Sequence, residues 1–312
     1  MGTVARAHPN IALIKYWGKQ SGGDNLPATP SLSITLDTLC SMTEVEFATR
    51  DEVILDGAPV NDPKILGFLQ ILRTRYDLPG LRIDSRNNFP TAAGLASSAS
   101  GFAALVTAIN AHCKLGMSDA ERSDYARRAS GSAGRSIYGG FVGLCAPDWI
   151  AEPLLDASAW PLKVVIAITD QGRKSVSSTD GMRASEATSD FYSAWVRTTT
   201  DDYRTALALL AARDFGGLAE LSETSCLKMH GLMLSTRPPM IYWRPATLAC
   251  IEAVRVLQAD GRSVFFTIDA GPQVKAVCLP ADAARVAAVL DAIPGVLSTQ
   301  VVGLGGGAEV LT

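Results

Sequence analysis

The 312-residue sequence has little from which to build a metal centre or a disulfide scaffold. Its six cysteines (Cys40, Cys113, Cys145, Cys226, Cys250 and Cys278) stand far apart with no C-x-x-C pair, and its three histidines, His8, His112 and His230, are equally dispersed. That spacing argues against zinc and against a disulfide framework, and it fits a reducing, cytoplasmic setting. No apolar run approaches the ~20 residues needed to cross a bilayer. The opening stretch MGTVARAHPNIALIKYWGK lacks the apolar core and cleavage pattern of a secretory signal. A net charge of −3 offers no bulk attraction for nucleic acid. Neither nucleic acid nor membrane is therefore an expected partner, and an anionic ligand must be met by a few local Lys and Arg. Internal repeats, coiled-coil heptads and low-complexity tracts are missing as well.

What is present is a globular composition, 47% hydrophobic and 19% charged, in a chain long enough for one large or two medium domains. SLSITL alternates Leu32, Ile34 and Leu36 onto one face, the pattern of a half-buried strand. TEVEFATRDEVILDG reads as two short strands around a polar turn. Phe102, Leu105, Val106 and Ile109 recur at helical spacing after a Gly-rich loop, and Ser118 with Glu121 forms a capping-box pattern ahead of another helix. A new strand from Lys163 to Thr169 suggests a boundary that divides the chain into 1–162 and 163–312. Beyond it the pattern predicts one long helical region over 189–234 and a helix over 246–259. Strands over 263–268 and 274–279, a helix over 281–293 and a strand over 297–303 follow. That interleaving predicts an α+β fold whose second half is ferredoxin-like.

Five segments carry chemistry. PTAAGLASSASG, residues 90–101, combines small residues with a following helix start, which makes a phosphate cradle; Ser97 and Ser98 could serve a phosphate or Mg²⁺. It is not a Walker A loop, and close helix packing through small residues explains it equally well. NIALIKYWGK, residues 10–19, turns abruptly from apolar to Lys15, Tyr16, Trp17 and Lys19, either an anion pocket or a solvated strand end. SGSAGRSIYGGFVG places Arg135 in a Gly/Ser-rich loop, suited to gripping a carboxylate or phosphate. GRKSVSSTDGMRAS offers Lys174, Ser177, Ser178 and Arg183 to an anion. Finally, Asp269 in FTIDAGP ends an apolar strand at a Gly-Pro turn, where turn capping is the ordinary use of an aspartate.

NIALIKYWGK, LPATPSLSITL, NNFPTAAGLASSASG, SGSAGRSIYGGFVG, SSTDGMRAS and FTIDAGP occur in the order found in the mevalonate diphosphate decarboxylases of the GHMP kinase superfamily, which this sequence resembles from about Ala7 to Cys278. The resemblance implies a two-domain GHMP kinase fold: a ribosomal protein S5 domain 2-like N-terminal domain that binds ATP, and a ferredoxin-like C-terminal domain. It implies ATP and Mg²⁺ as cofactors, mevalonate 5-diphosphate as substrate and a homodimer. By motif match, Asp269 corresponds to the aspartate at the substrate 3-hydroxyl and Arg135 to the carboxylate-binding arginine, with Asn10 beside it. Lys15 lies near the reacting groups. Tyr16, Lys19 and Ser178 match diphosphate-holding positions, and Ser132 a substrate contact. Gly94, Ser97 and Ser98 belong to the ATP loop, Ser98 being the candidate for Mg²⁺. Gly134 stands where many relatives have Cys, a change expected to be tolerated. Thr179 stands where some bacterial relatives have Arg, and Gln273 replaces the usual Asn. A mevalonate 5-phosphate decarboxylase or a mevalonate 3-kinase is the alternative reading.

Overall fold

The computed structural model describes residues 2–20, 22–89, 97–172 and 175–311. The first half runs β1 (Thr3–Ala7), β2 (Asn10–Ile14), β3 (Ser31–Thr35), β4 (Ser41–Ala48), β5 (Glu52–Leu55), β6 (Ala58–Val60), α1 (Pro63–Arg73), β7 (Gly80–Asn87), α2 (Ser97–His112), α3 (Asp119–Ala129), a 3-10 turn at Ala133–Ile137, β8 (Phe141–Leu144) and β9 (Ala151–Leu155). The second half runs β10 (Lys163–Ile168), α4 (Ser178–Thr188), α5 (Tyr192–Ala212), α6 (Phe215–Leu234), α7 (Pro245–Ala259), β11 (Val264–Thr267), β12 (Val274–Cys278), α8 (Ala283–Asp291), β13 (Ser298–Gly303) and β14 (Glu309–Leu311).

Three sheets result: β14-β1-β4-β7-β5-β6, β2-β3-β8-β9 and β11-β12-β10-β13. The last is wholly antiparallel, with the strand order of a ferredoxin-like unit, as the interleaving predicts. The first is covered by α1, α2 and α3, whose Phe68, Leu105 and Tyr125 share a core with Val45, Leu81 and Ile83. Along β10, side chains alternate between two cores. Val164 and Ile166 face a core shared with Ile11, Leu32 and Ile34, which joins the two halves of the chain. Val165 and Ala167 face α7 and α8.

One expectation changes, one is refined, and two elements are new. SLSITL is not half-buried: Ser31, Ser33 and Thr35 are as inaccessible as Leu32 and Ile34, because β3 is central in its sheet. Its polar face is satisfied internally, Ser31 Oγ accepting from Arg135 and Thr35 donating to the Tyr138 carbonyl. The helical region over 189–234 is two helices. Arg213 adopts a left-handed conformation at φ 51° and Asp214 then caps α6 by accepting from Gly217 N. Helix α4, ahead of them, is not anticipated; Ser177 caps it. Strand β14 was also not anticipated. It leaves the second half and pairs with β1, so the first half's sheet is completed from the far end of the sequence. The capping box of Ser118 and Glu121 is present as expected.

Candidate active site

A cleft of about 730 Å³ opens where the ends of β2 and β11 meet the starts of α2 and α4. Asn10, Lys15, Tyr16, Lys19, Ser97, Ser98, Ser132, Arg135, Ser178 and Asp269 all line it. Gly94 and Lys174 lie outside the described residues.

Asp269 follows β11 directly, and three contacts fix that strand end. Thr267 donates to the Ala12 carbonyl at 3.2 Å, and Ile268 N donates to Cys226 Sγ at 3.2 Å. His230, one turn along α6 from Cys226, places Nε2 3.2 Å from the Ile268 carbonyl. The Trp243 indole Nε1 lies 3.4 Å from the same ring nitrogen. Neighbouring Ser225 accepts from Lys15 N at 3.0 Å. Helix α6 thus holds the ends of both strands next to Lys15 and Asp269. Lys15 Nζ then meets Asp269 Oδ1 at 2.7 Å, and Lys275 Nζ lies 3.2 Å from Oδ2. Both lysines are 1% exposed, whereas the Asp269 side chain is 26% exposed and faces the cleft. Burial alone would raise the Asp269 carboxyl; the two ammonium groups overcome it and hold the carboxyl well below the usual carboxylate range. Burial, with the charges of Lys15 and Lys275, outweighs the Ile268 carbonyl and Asp269 at His230, which is pushed down to about 3 and stays neutral.

Arg135 sits in the 3-10 turn after α3 and is 2% exposed. Its Nε and one terminal nitrogen donate to Asn10 Oδ1 at 3.2 and 3.0 Å, and the other donates to Ser31 Oγ at 2.7 Å. Asn10 in turn donates to Ser136 Oγ at 2.7 Å and to the Ser132 carbonyl at 3.1 Å. Asn10 is therefore the bracket of the arginine as well as a lining residue. Burial lowers the guanidinium to about 10, still charged at neutral pH. The guanidinium carbon lies 5.9 Å from the centre of the Tyr16 ring. The Tyr16 hydroxyl is buried against Gly131, pushed up to about 12 by burial, and has no hydrogen-bond partner among the described residues. Gly134 is required as well as tolerated, since a Cβ there would lie 2.8 Å from the Ser123 carbonyl oxygen.

The opposite end of the cleft is cationic. Lys19 donates to Asn25 Oδ1 at 2.6 Å and Thr179 Oγ1 at 3.2 Å. Burial, then Arg183 and Lys64, lower its pKa. Lys64 and Arg183 line the same space, and among the described residues neither has a carboxylate within ion-pair distance. Ser97 and Ser98 open α2, and Ser177 to Thr179 open α4, so both helices begin at the cleft with their positive ends. Thr179 stands at the start of α4, and Arg183 stands one turn further along the same helix. Among the described residues no cluster of three His, Cys, Asp or Glu could hold a metal. This donor set, hydroxyls and helix starts, fits a divalent cation brought in with phosphates.

Sequence reading missed Lys275, Lys64, Ser225, Cys226 and His230. Lys275 carries one available signal, a charge inside the apolar run VKAVC, whereas the others have no local mark of their task.

The model of the diphosphomevalonate decarboxylase-like N-terminal domain matches residues 7–148, and that of the mevalonate 5-diphosphate decarboxylase C-terminal domain matches residues 164–301. The diphosphomevalonate decarboxylase mvd1 of Aspergillus fumigatus is 36% identical over 318 residues, covering 92% of this chain and 79% of that protein. A structure described as MDDEF in complex with MVAPP, AMPPCP and magnesium superposes with a TM-score of 0.91 at 37% identity, covering 100% of this chain and 99% of the other. The mevalonate diphosphate decarboxylase from Enterococcus faecalis, described for its mevalonate diphosphate mediated ATP binding, gives 0.90 at 36% identity with the same coverage.

Proposed function

We propose that the cleft of this chain, which belongs to the diphosphomevalonate decarboxylase family, converts ATP and (R)-mevalonate 5-diphosphate into isopentenyl diphosphate, CO₂, ADP and phosphate. One observation carries the reading. Asp269, Lys15 and Arg135, distant in sequence, share one cleft whose far end gathers Lys19, Lys64 and Arg183. A substrate with a carboxylate at one end and a diphosphate at the other matches that polarity.

Arg135, held by Asn10 and Ser31, receives the carboxylate near Asp269, and Ser132 lies on the same loop. Tyr16, Lys19 and Ser178 hold the diphosphate, the unsatisfied Tyr16 hydroxyl donating to a phosphate oxygen. Asp269 accepts from the 3-hydroxyl and aims its oxygen at the terminal phosphorus of ATP; as the new O–P bond forms, the bond to ADP breaks and the hydroxyl proton passes to a phosphoryl oxygen. Phosphoryl transfer asks mainly for positioning and charge stabilisation. Lys15 stabilises charge that develops at the reacting groups. The 3-phosphate then leaves with the C3–O electron pair. The C–C bond to the carboxylate breaks, and its electrons form the new double bond as CO₂ departs. ATP places its phosphates at the start of α2, where Ser97 and Ser98 stand. Mg²⁺, when bound with the nucleotide, neutralises phosphate charge, and Ser98 is the residue that would hold it. Residues 1–162, with β14, form the nucleotide half, and 163–312 supply Asp269 and Ser178. Six free cysteines support the reading of a reducing, cytoplasmic setting, and none of the described helices is long and apolar enough to cross a membrane.

The test supplies ATP with mevalonate, its 5-phosphate and its 5-diphosphate in turn, reading ADP and CO₂ together. Equal release of both from the 5-diphosphate is expected. ADP without CO₂ would make the protein a kinase, and preference for the 5-phosphate would reassign the cationic end.

A further inference from the structure

We propose that Lys275 is a positioning residue of the reaction, the second of two lysines that pin the Asp269 carboxylate in one orientation as a hydrogen-bond acceptor. The inference rests on the decarboxylase reading and adds a residue that the family motifs do not include. Lys275 projects from β12, the strand paired with β11, and reaches Asp269 Oδ2 at 3.2 Å from beneath. Lys15 reaches Oδ1 at 2.7 Å from the end of β2. The carboxylate thus has an ammonium group at each oxygen, from two sheets: Lys15 donates a hydrogen bond to Oδ1, and Oδ2 is buried with Lys275 as its ion-pair partner, while the side chain as a whole borders the cleft. A carboxylate held by a single lysine can turn about its Cβ–Cγ bond; one held at both oxygens cannot turn without breaking an ion pair.

The lysine is 1% exposed, and burying an ammonium group is costly without a matched anion. Apolar strand packing needs only its aliphatic stem, so the charge at its tip requires another explanation. The charged and titratable groups that face Asp269 are Lys15 from β2, Lys275 from β12, Arg135 from the 3-10 turn, and the neutral His230 and Cys226 from α6. The cations outnumber the anion, so Asp269 stays ionised across the working range. It is a weak proton acceptor, and its part is to orient the 3-hydroxyl. Removing one cation must make it easier to protonate.

The experiment compares Lys275→Met, Lys275→Gln and Lys275→Arg with the wild type, recording kcat/KM for mevalonate 5-diphosphate against pH with ADP and CO₂ release. Wild-type release of both products tests the decarboxylase reading separately. The expected result is a kcat about 10-fold or more lower in both neutral variants, with the acid limb of the profile moved to higher pH. Lys275→Arg should keep the limb in place, and the affinity for an ATP analogue should not change. In an Asp269→Asn background, Lys275→Met should have almost no further effect on kcat. An unmoved acid limb in the folded neutral variants, or equal losses in both backgrounds, would overturn the inference. So would failure of both neutral variants to fold, which would make Lys275 structural.

Discussion

Lys15 and Asp269 stand 254 residues apart in sequence and 2.7 Å apart in space, the lysine at the end of a strand of the first half and the aspartate at the end of a strand of the second. Their meeting requires the core shared by Ile11, Ile34, Val164 and Phe265 to be in place, so packing between the halves is a condition of the chemistry. Asp269→Asn keeps the shape and removes the charge. It should lower turnover at least ~100-fold, the scale for losing the positioning of a reacting group. ATP-analogue binding by calorimetry should be nearly unchanged, and an active Asn variant would remove Asp269 from the mechanism.

Arg135 donates through three nitrogens to two fixed oxygens, a geometry that a lysine cannot reproduce. Arg135→Lys should therefore lower kcat/KM for the 5-diphosphate by about 10–100-fold, the range for losing hydrogen bonds to a charged group. Steady-state kinetics would show it, and a wild-type value would move the carboxylate elsewhere in the cleft.

How much of this was legible beforehand depends on whether a residue's task is written locally. The i, i+3, i+4, i+7 spacing of Phe102 to Ile109 and the Ser118/Glu121 cap are local, and both appear in the fold. Asp269 in FTIDAGP was legible only through its company, since alone it reads as a turn residue. Lys275 and His230 were not legible: their roles arise from pairing of β11 with β12 and from packing of α6 across β11, which no short window encodes. The break at Arg213 was hidden because an arginine seldom takes a left-handed conformation.

Arg183 lies on an exposed rim and acts through charge. Arg183→Ala should raise KM for the 5-diphosphate by about 2–5-fold and leave kcat nearly unchanged, with the difference shrinking as salt rises. Lys64→Ala should behave alike. KM values that do not move at low ionic strength would place the diphosphate away from this end.

His230 is neutral when folded and held at about 3, against an ordinary value of 6.5. Its folded value lies below its unfolded value, so its contribution to stability is complete above pH ~6.5 and is lost as pH falls toward about 3. Thermal unfolding of the wild type should show Tm falling through that window. His230→Gln should show a shallower fall than the wild type, and identical slopes would dismiss His230 as an acid-sensitive group.

Gly134 leaves no room beside the Ser123 carbonyl. Gly134→Ala should cost about 1–3 kcal/mol through overpacking, read as a lower Tm, and Ser123→Gly should not rescue it because the nearest atom belongs to the backbone.

Strand β14 has a consequence for how the protein is made. β14 leaves the ribosome only after some 300 residues beyond its partner β1 have been polymerised. At ~5–20 residues per second, that interval lasts on the order of tens of seconds. Throughout it, β1 is an unprotected sheet edge, available to any other extended chain. Arg6, which later pairs with Glu309, sits on that edge as a charge that discourages such pairing. The same arginine guards the nascent sheet and afterwards fastens the strand that closes it.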